Sequence, residues 1–270
     1  MPLIQLIVLA IIQGVTEFLP ISSSAHLVLA PLVVSSWSDQ GALIDVAAHV
    51  GSLFAVLIYF RQETGSLFRG GIDTLTFKDS QERSLFLKIA IATIPVLFLG
   101  AIFALTGLID RIRSPYVIAA TSIIFGVLLW HADRQPTEKE GLARISWRET
   151  ILIGFAQMLS IVPGTSRSGA TMTAARYLGW SREEAARFSM LLAIPTISAL
   201  GIFAGVDLVR EGADATMEAA AIVAVLSFFA ALLAIAVLMR LTRSISFTPF
   251  VIYRLIFGVV ILAFADRLVA

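Results

Sequence analysis

The chain is 270 residues long, 58% hydrophobic and only 14% charged, a balance that excludes an ordinary soluble domain and reads as a membrane protein. A net charge of +1 gives no ground for expecting nucleic acid as a partner. The absence of cysteine excludes disulfides, thiolate catalysis and Cys-ligated metal.

In chain order, the first feature is a polar interruption of a greasy segment, Gln13-Gly-Val-Thr-Glu-Phe-Leu-Pro-Ile-Ser-Ser-Ser-Ala-His26. No Lys or Arg precedes Arg61, so this segment is not expected to act as a secretory signal peptide. Apolar spans follow at Gly41–Phe60, Ile89–Ile109 and Pro115–Ala132. A charged linker, Asp133–Trp147, then divides the chain. Beyond it lies a second polar stretch, Gln157 to Thr171, and further spans at Phe188–Val206, Ala219–Met239 and Pro249–Ala265. At about 1.5 Å per residue, runs of this length suit about 30 Å of hydrocarbon. Apolar residues occupy all faces without strict alternation, which favours helices over a membrane barrel. Pro95 and Pro195 read as kinks within spans. Trp37, Trp130, Trp147 and Trp180 fall at segment ends, as interfacial anchors do.

Each half therefore reads as one polar hairpin followed by three spans: residues 1–135 form a first repeat and 145–270 a second, within a single integral membrane domain. Aligning Pro20 with Pro163 sets Ser22 against Thr165, Ser23 against Ser166 and Ser24 against Arg167, with a one-residue slip at Gln13 and Gln157. Odd numbers of spans put the halves in opposite orientations. The expected fold is all-α and polytopic, an inverted-topology repeat of six spanning helices plus two re-entrant helical hairpins. Loops 61–88, 133–148, 176–187 and 240–254 carry nearly all the Lys and Arg, while 31–41, 110–114, 207–216 and 266–270 carry four Arg. The positive-inside rule makes the first set cytoplasmic and sends both termini outward. Lys88 and Arg254 then read as snorkelling side chains at cytoplasmic helix ends, and Arg187 as a snorkelling or lipid-phosphate contact. Pro20–Ser24 and Pro163–Ser168 are helix breakers followed by capping residues. Hairpins entering from opposite faces would bring these tips together near the midplane, buried in protein or lining a wet cavity.

Ionisable groups in such segments cost roughly 2.5–3.5 kcal/mol each on insertion scales, which makes Glu17, His26 and Arg167 the expected chemical centre. In Pro163-Gly-Thr-Ser-Arg-Ser-Gly169, Gly164 and Gly169 permit close backbone approach. Thr165, Ser166 and Ser168, with the free amides of the following helix, make an anion cradle. Arg167 adds a planar fork suited to phosphate. Ser22, Ser23 and Ser24 exceed what capping alone needs. His26 is a candidate general acid or base, or the activator of a hydroxyl. Glu17 is a candidate base, metal ligand or partner orienting His26, and a salt bridge to Arg167 is compatible with each role. Gln13, one turn before Glu17, faces the same side and is placed to bind phosphate or help hold a metal. Asp45 and His49, another i, i+4 pair, read as interfacial structure.

These two motifs, with Arg187-Phe-Ser-Met-Leu-Leu-Ala-Ile-Pro195, resemble the bacterial undecaprenyl pyrophosphate phosphatase family, the integral-membrane kind linked to bacitracin resistance, along the full length. The resemblance implies hydrolysis of a polyprenyl diphosphate to the monophosphate and inorganic phosphate, recycling the cell-wall lipid carrier. It also implies a site facing outward from the bacterial plasma (inner) membrane, dependence on a divalent cation (Mg²⁺ or Ca²⁺), and homodimers. By motif position the catalytic acid falls on Glu17, the hydroxyls on Ser22 to Ser24, the histidine on His26 and the phosphate-binding arginine on Arg167. The family often has Glu where this chain has Gln13, which leaves Glu17 as the acid and metal ligand here. The nucleophile is either Ser23 or a water activated by His26 or Glu17. The prenyl tail would lie between helices in the lipid bilayer. The alternative is a lipid flippase or transporter built on the same inverted repeat.

Overall fold

A computed structural model describes residues 2–34, 37, 40–108, 112–211 and 216–269, with side chains described except at 207–211 and 269. Among the described residues there is no β-strand, only an isolated bridge between Lys139 and Trp180. The helices are α1 (Leu3–Phe18), α2 (Ser23–Val33), α3 (Gly41–Tyr59), α4 (Arg61–Leu75), α5 (Gln81–Thr106), α6 (Pro115–Asp133), α7 (Trp147–Met158), α8 (Arg167–Tyr177), α9 (Arg182–Glu211), α10 (Met217–Leu241) and α11 (Thr248–Val269).

Six helices, α3, α5, α6, α9, α10 and α11, are long and apolar enough to cross a membrane. Each covers one of the expected spans. α5 stops at Thr106, where Gly107 turns into the left-handed region at φ +64° and ends the helix without a Cβ penalty; Ile109 lies outside the described residues. The expected outer loops at 31–41, 110–114, 207–216 and 266–270 also fall partly outside them.

The four helices of the polar hairpins are different. α1 has 16 residues, α7 has 12, and α2 and α8 have 11 each. At 1.5 Å per residue they reach about 16–24 Å, short of about 30 Å of hydrocarbon. α7 starts on a capping box, in which Ser146 accepts from the Glu149 amide and Glu149 accepts in return from the Ser146 amide, an arrangement worth about 1 kcal/mol at a helix start.

Packing crosses between the halves. α1 lies along α10 and α3, while α7 lies along α5, and α9 packs on both α3 and α5. A Cβ at Gly14 would fall 2.6 Å from the Ser227 carbonyl of α10, and one at Gly154 would fall 2.7 Å from the Ala92 carbonyl of α5. Beside these crossings, Ser227 donates to the Ala10 carbonyl (3.0 Å) and Gln157 to the Ala92 carbonyl (3.2 Å). Each hairpin thus leans on the middle span of the other half.

The helix caps revise the register between halves. Ser22 and Ser166 head α2 and α8 with unusual positive φ values of 76° and 70°. Each hydroxyl pairs with the serine two residues on, Ser22 with Ser24 at 3.2 Å and Ser166 with Ser168 at 3.1 Å. Ser22 therefore corresponds to Ser166, not Thr165, and the same offset pairs Gln13 with Gln157. The one-residue slip falls at the prolines.

The structure also adds to the expectations for one charged segment and two charged residues. The segment 61–88, read as a loop, holds α4 and the first turns of α5. Gly70 lets the Glu82 backbone press against it, an approach invisible to hydropathy. Arg187, read as a snorkelling or lipid-phosphate contact, pairs with Glu63 at 2.6 Å and Glu184 at 3.0 Å, tying α9 to α4. Lys88 is buried, its ammonium 5.7 Å from the centre of the Trp147 ring.

Candidate active site

The turn between α1 and α2 and the turn between α7 and α8 touch. Ser168 donates to the Leu19 carbonyl at 2.8 Å, and Thr121 of α6 donates to the Pro163 carbonyl at 2.6 Å. Gly164 sits at φ +87°, where a Cβ would strike the Thr121 hydroxyl and the Ile118 carbonyl, so only glycine lets the second turn settle on α6.

Arg254 fastens the pair. Expected to snorkel, it is instead fully buried. Its guanidinium donates to the Pro20 carbonyl of the first turn (3.1 Å) and the Gly164 carbonyl of the second (2.8 Å). It also reaches the Ser122 carbonyl (3.2 Å). A snorkelling side chain needs an open route to water; the meeting of the two turns closes it here.

Beside this joint lies a cavity of about 160 Å³, into which Glu17, Ser22, Ser23 and Ser24 project from the first hairpin and Ser160, Ser166 and Arg167 from the second. Glu17 is the hub. One carboxylate oxygen, Oε2, accepts from Ser23 (2.7 Å) and Gln13 (2.9 Å), while Oε1 accepts from Arg167 at 3.2 Å. Arg167 donates its other terminal nitrogen to the Ser189 carbonyl at 3.0 Å, which fixes the plane of the fork. Both α2 and α8 point their N-termini at the cavity. First-turn amides lack intrahelical acceptors, and the partial positive charge of two converging helix starts favours an anion.

The remaining sequence candidates serve as support. Gln13 is buried behind Glu17, and Thr165 is buried away from the cavity. Ser168, Gly164 and Gly169 belong to the joint; the Gly169 amide is capped by the Ser166 hydroxyl at 3.1 Å, and a Cβ there would meet Arg254 at 2.8 Å. His26 does not line the cavity. Its Nδ1 lies 2.6 Å from the Ser22 carbonyl, its Nε2 bonds the Tyr253 hydroxyl, and its ring stacks on Phe257 of α11 at 4.5 Å. A carbonyl only accepts, so Nδ1 carries the proton and Nε2 accepts from Tyr253. His26 thus fixes the start of α2 against α11.

Sequence reasoning read His49 as interfacial structure and did not single out Thr196; both line the cavity. His49 of α3 lines the cavity with its Nε2 3.8 Å from Glu17. Thr196 of α9 brings a further hydroxyl, bonded to the Leu192 carbonyl (2.8 Å). The signal for His49 was present: Asp45, His49 and Ser52 form a polar stripe at helical spacing on an otherwise apolar span. Ile197 and Leu200 complete the lining, and Leu200 is 48% exposed, so the cavity opens sideways along α9.

The family model described as bacitracin resistance protein BacA matches residues 6–260. A protein of Jannaschia sp. (strain CCS1), named undecaprenyl-diphosphatase, is 46% identical over 266 residues, covering 98% of this chain and 99% of its own length. One of the same name from Maricaulis maris (strain MCS10) is 47% identical over 267 residues, with 98% and 99% covered. Another from Roseobacter denitrificans (strain ATCC 33942 / OCh 114) is 48% identical over 272 residues, again with 98% and 99% covered.

Proposed function

The chain belongs to the bacitracin resistance protein BacA family, and from that premise we propose how its cavity hydrolyses undecaprenyl diphosphate to the monophosphate and inorganic phosphate. Phosphatase activity on this lipid is the activity its relatives are named for, and it is the activity of this chain. The observation that carries the mechanism is the chain of contacts Ser23–Glu17–Arg167, at 2.7 Å and 3.2 Å.

A cavity of about 160 Å³ is small beside the roughly 300–1,000 Å³ of pockets that enclose a whole drug-sized ligand. Only the polar head enters, and the prenyl tail leaves along Ile197 and Leu200 into the bilayer. The diphosphate sits against Arg167 and the amides at the starts of α2 and α8. Positioning and fixed positive charge dominate phosphoryl transfer, and both are supplied without reorganisation. Ser23 Oγ attacks the terminal phosphorus while its proton passes to Glu17. The anhydride P–O bond breaks, undecaprenyl monophosphate leaves, and water hydrolyses the phosphoserine to inorganic phosphate.

A divalent cation, Mg²⁺ or Ca²⁺, fits this site by its donor chemistry. Oε1 of Glu17 receives one hydrogen bond and keeps a lone pair, and Oε1 of Gln13 is buried without a hydrogen-bond partner. Among the described residues no group of three or more acidic or histidine side chains could hold a metal. Hard cations commonly take one or two carboxylates and complete their shell with phosphate oxygens and water. Glu17 would hold the ion, which when bound neutralises charge on the diphosphate.

The family resemblance supports a place in the bacterial plasma membrane with this cavity open to the outer side, the distribution of Lys and Arg supports the orientation of the spans, and we propose that the two hairpins are re-entrant. The short hairpin helices and their touching turns support that placement. For a homodimer, the support is the family resemblance.

Purified protein given undecaprenyl diphosphate labelled on its terminal phosphate is expected to release labelled phosphate and, on acid quench, to yield label on the peptide containing Ser23. Label absent from Ser23 during turnover would hand the attack to water, with Glu17 as its base. Lipid moved across vesicles with no phosphate released would favour a flippase.

A further inference from the structure

A second cavity, of about 420 Å³, lies at the other end of α8 from Arg167. There Arg176 and Arg182 meet Arg134, just past the close of α6, and Ser246 and Thr248 at the start of α11. The reaction above makes no use of it. We propose that this cavity holds the phosphate of an anionic phospholipid, whose acyl chains run along the outer faces of α6 and α11.

Three guanidinium groups line the cavity against a single carboxylate, Asp133. That carboxylate is fully engaged. Arg182 donates to both of its oxygens (2.6 and 3.2 Å), the Phe247 amide donates to one (2.9 Å), and Arg176 stands 3.6 Å away. Positive charge is therefore left in excess. Arg176 is buried and is held by Thr137 and by backbone carbonyls, so it contributes charge rather than a free donor. Arg134 is different. It is exposed, its guanidinium lies 3.7 Å from the centre of the Trp130 ring, and among the described residues that guanidinium has no hydrogen-bond or ion-pair partner. A guanidinium laid flat on an indole keeps its N–H edge open to an anion.

Hydroxyls supply further donors. Thr248 accepts from Ser246 at 2.8 Å and Thr137 accepts from Arg176 at 3.1 Å, and each keeps its own O–H to give. The positive end of the 22-residue α11 adds to the same field.

The surface beneath the cavity favours a lipid over a free phosphate. Trp130 and Val127 are exposed one turn apart on α6, while Ile252 and Ile256 are exposed in line with Thr248 on α11. These two helices pack side by side, so the polar cavity heads an apolar strip turned toward the bilayer. Loops 133–148, 176–187 and 240–254, which supply the cavity's polar residues, belong to the set rich in Lys and Arg. That is the side on which anionic lipids attract basic segments.

The test titrates the full chain in detergent with dioleoylphosphatidylglycerol and counts bound lipid by native mass spectrometry. Dioleoylphosphatidylcholine and glycerol phosphate serve as comparison ligands. Wild type should hold the anionic lipid about fivefold or more tightly than the zwitterionic one, and Arg134→Gln should lose about fivefold in affinity for it. Thr248→Val removes a donor and no charge, and should lose about threefold. Arg148→Gln removes a charge from a different cavity and should bind as the wild type does. The proposal is overturned if Arg134→Gln and Thr248→Val both bind like the wild type, if Arg148→Gln weakens binding as much as Arg134→Gln, or if the two lipids bind equally. Displacement of the lipid by glycerol phosphate at equal concentration would also overturn it, by making the occupant a free phosphate.

Discussion

Glu17 and Arg167 stand 150 positions apart in the chain and meet at 3.2 Å. Neither charge is tolerable alone at this depth of burial, so the pair welds the two hairpins together. Breaking a buried pair by removing one partner costs about 3–5 kcal/mol.

Arg167→Ala is therefore expected to lower kcat for phosphate release by about 10²–10³, with a lowered Tm. Arg167→Lys keeps the charge but not the fork that reaches Glu17 and Ser189 together, and should recover Tm more than kcat. A lysine variant with wild-type kcat would show that charge alone suffices.

Arg254 acts on the same site without touching it. Its guanidinium serves the carbonyls of both turns, and leaving each one unpaired costs about 1–3 kcal/mol. Arg254→Met should lower Tm by several degrees and reduce phosphate release. Arg254→Lys, whose ammonium cannot span both carbonyls, should recover only part of either. An Arg254→Met protein as stable as the wild type would remove Arg254 from the joint.

Most of this architecture was legible in the chain. Six spans stand out because hydropathy integrates over whole helices, and Glu17, Ser23 and Arg167 stand out because polar groups in such segments are costly. What stayed hidden depended on contacts between distant segments. Arg254 lies near the start of its helix, where snorkelling is the local answer; only the meeting of Pro20 and Gly164 makes it a buried clamp. His26 was nominated by its neighbours Ser22 to Ser24, but the ring turns to Tyr253 and Phe257 on α11, which no local spacing reveals. Both α4 and the corrected repeat register likewise follow from backbone packing and cap geometry.

Gly164 and Gly141, two of the positive-φ glycines, make a matched pair. Both carry φ above +80°, but a Cβ at Gly141 meets nothing within 4 Å, whereas one at Gly164 collides with Thr121 and the α6 backbone. Gly141→Ala should cost about 1 kcal/mol of backbone strain and leave phosphate release unchanged. Gly164→Ala should displace the second turn and abolish release. Comparing Tm and rate for the two variants separates strain from collision, and equal effects would contradict the close seat on α6.

Tyr253→Phe tests whether His26 acts by position. The variant keeps the ring stack with Phe257 and removes only the hydroxyl that bonds Nε2. If His26 works by holding the Ser22 carbonyl, phosphate release should change less than about threefold, while His26→Ala loosens α2 and costs far more. A Tyr253→Phe variant as inactive as His26→Ala, with an altered pH–rate profile, would point to proton transfer through this pair.

The hairpin that carries Arg167 is clasped at its outer ends by Lys139 and Glu149, and the clasp gives stability a pH signature. Lys139 bridges the Glu149 carboxylate (2.7 Å) and the Leu178 carbonyl that ends α8 (2.9 Å), holding the start of α7 to the close of α8. Burial by itself would raise the Glu149 carboxyl, but the hydrogen bonds from Lys139 and Ser146 outweigh it and hold the group below its usual range. A carboxyl depressed in the fold binds fewer protons than in the unfolded chain. Its contribution is complete above the unfolded value of about 4.3 and is lost as pH falls through the folded one. The Tm gap between wild type and Glu149→Gln should therefore be widest near neutrality and narrow below about pH 4. A gap that stays constant into acid, or widens there, would mean the Glu149 charge contributes nothing to holding the second hairpin in place.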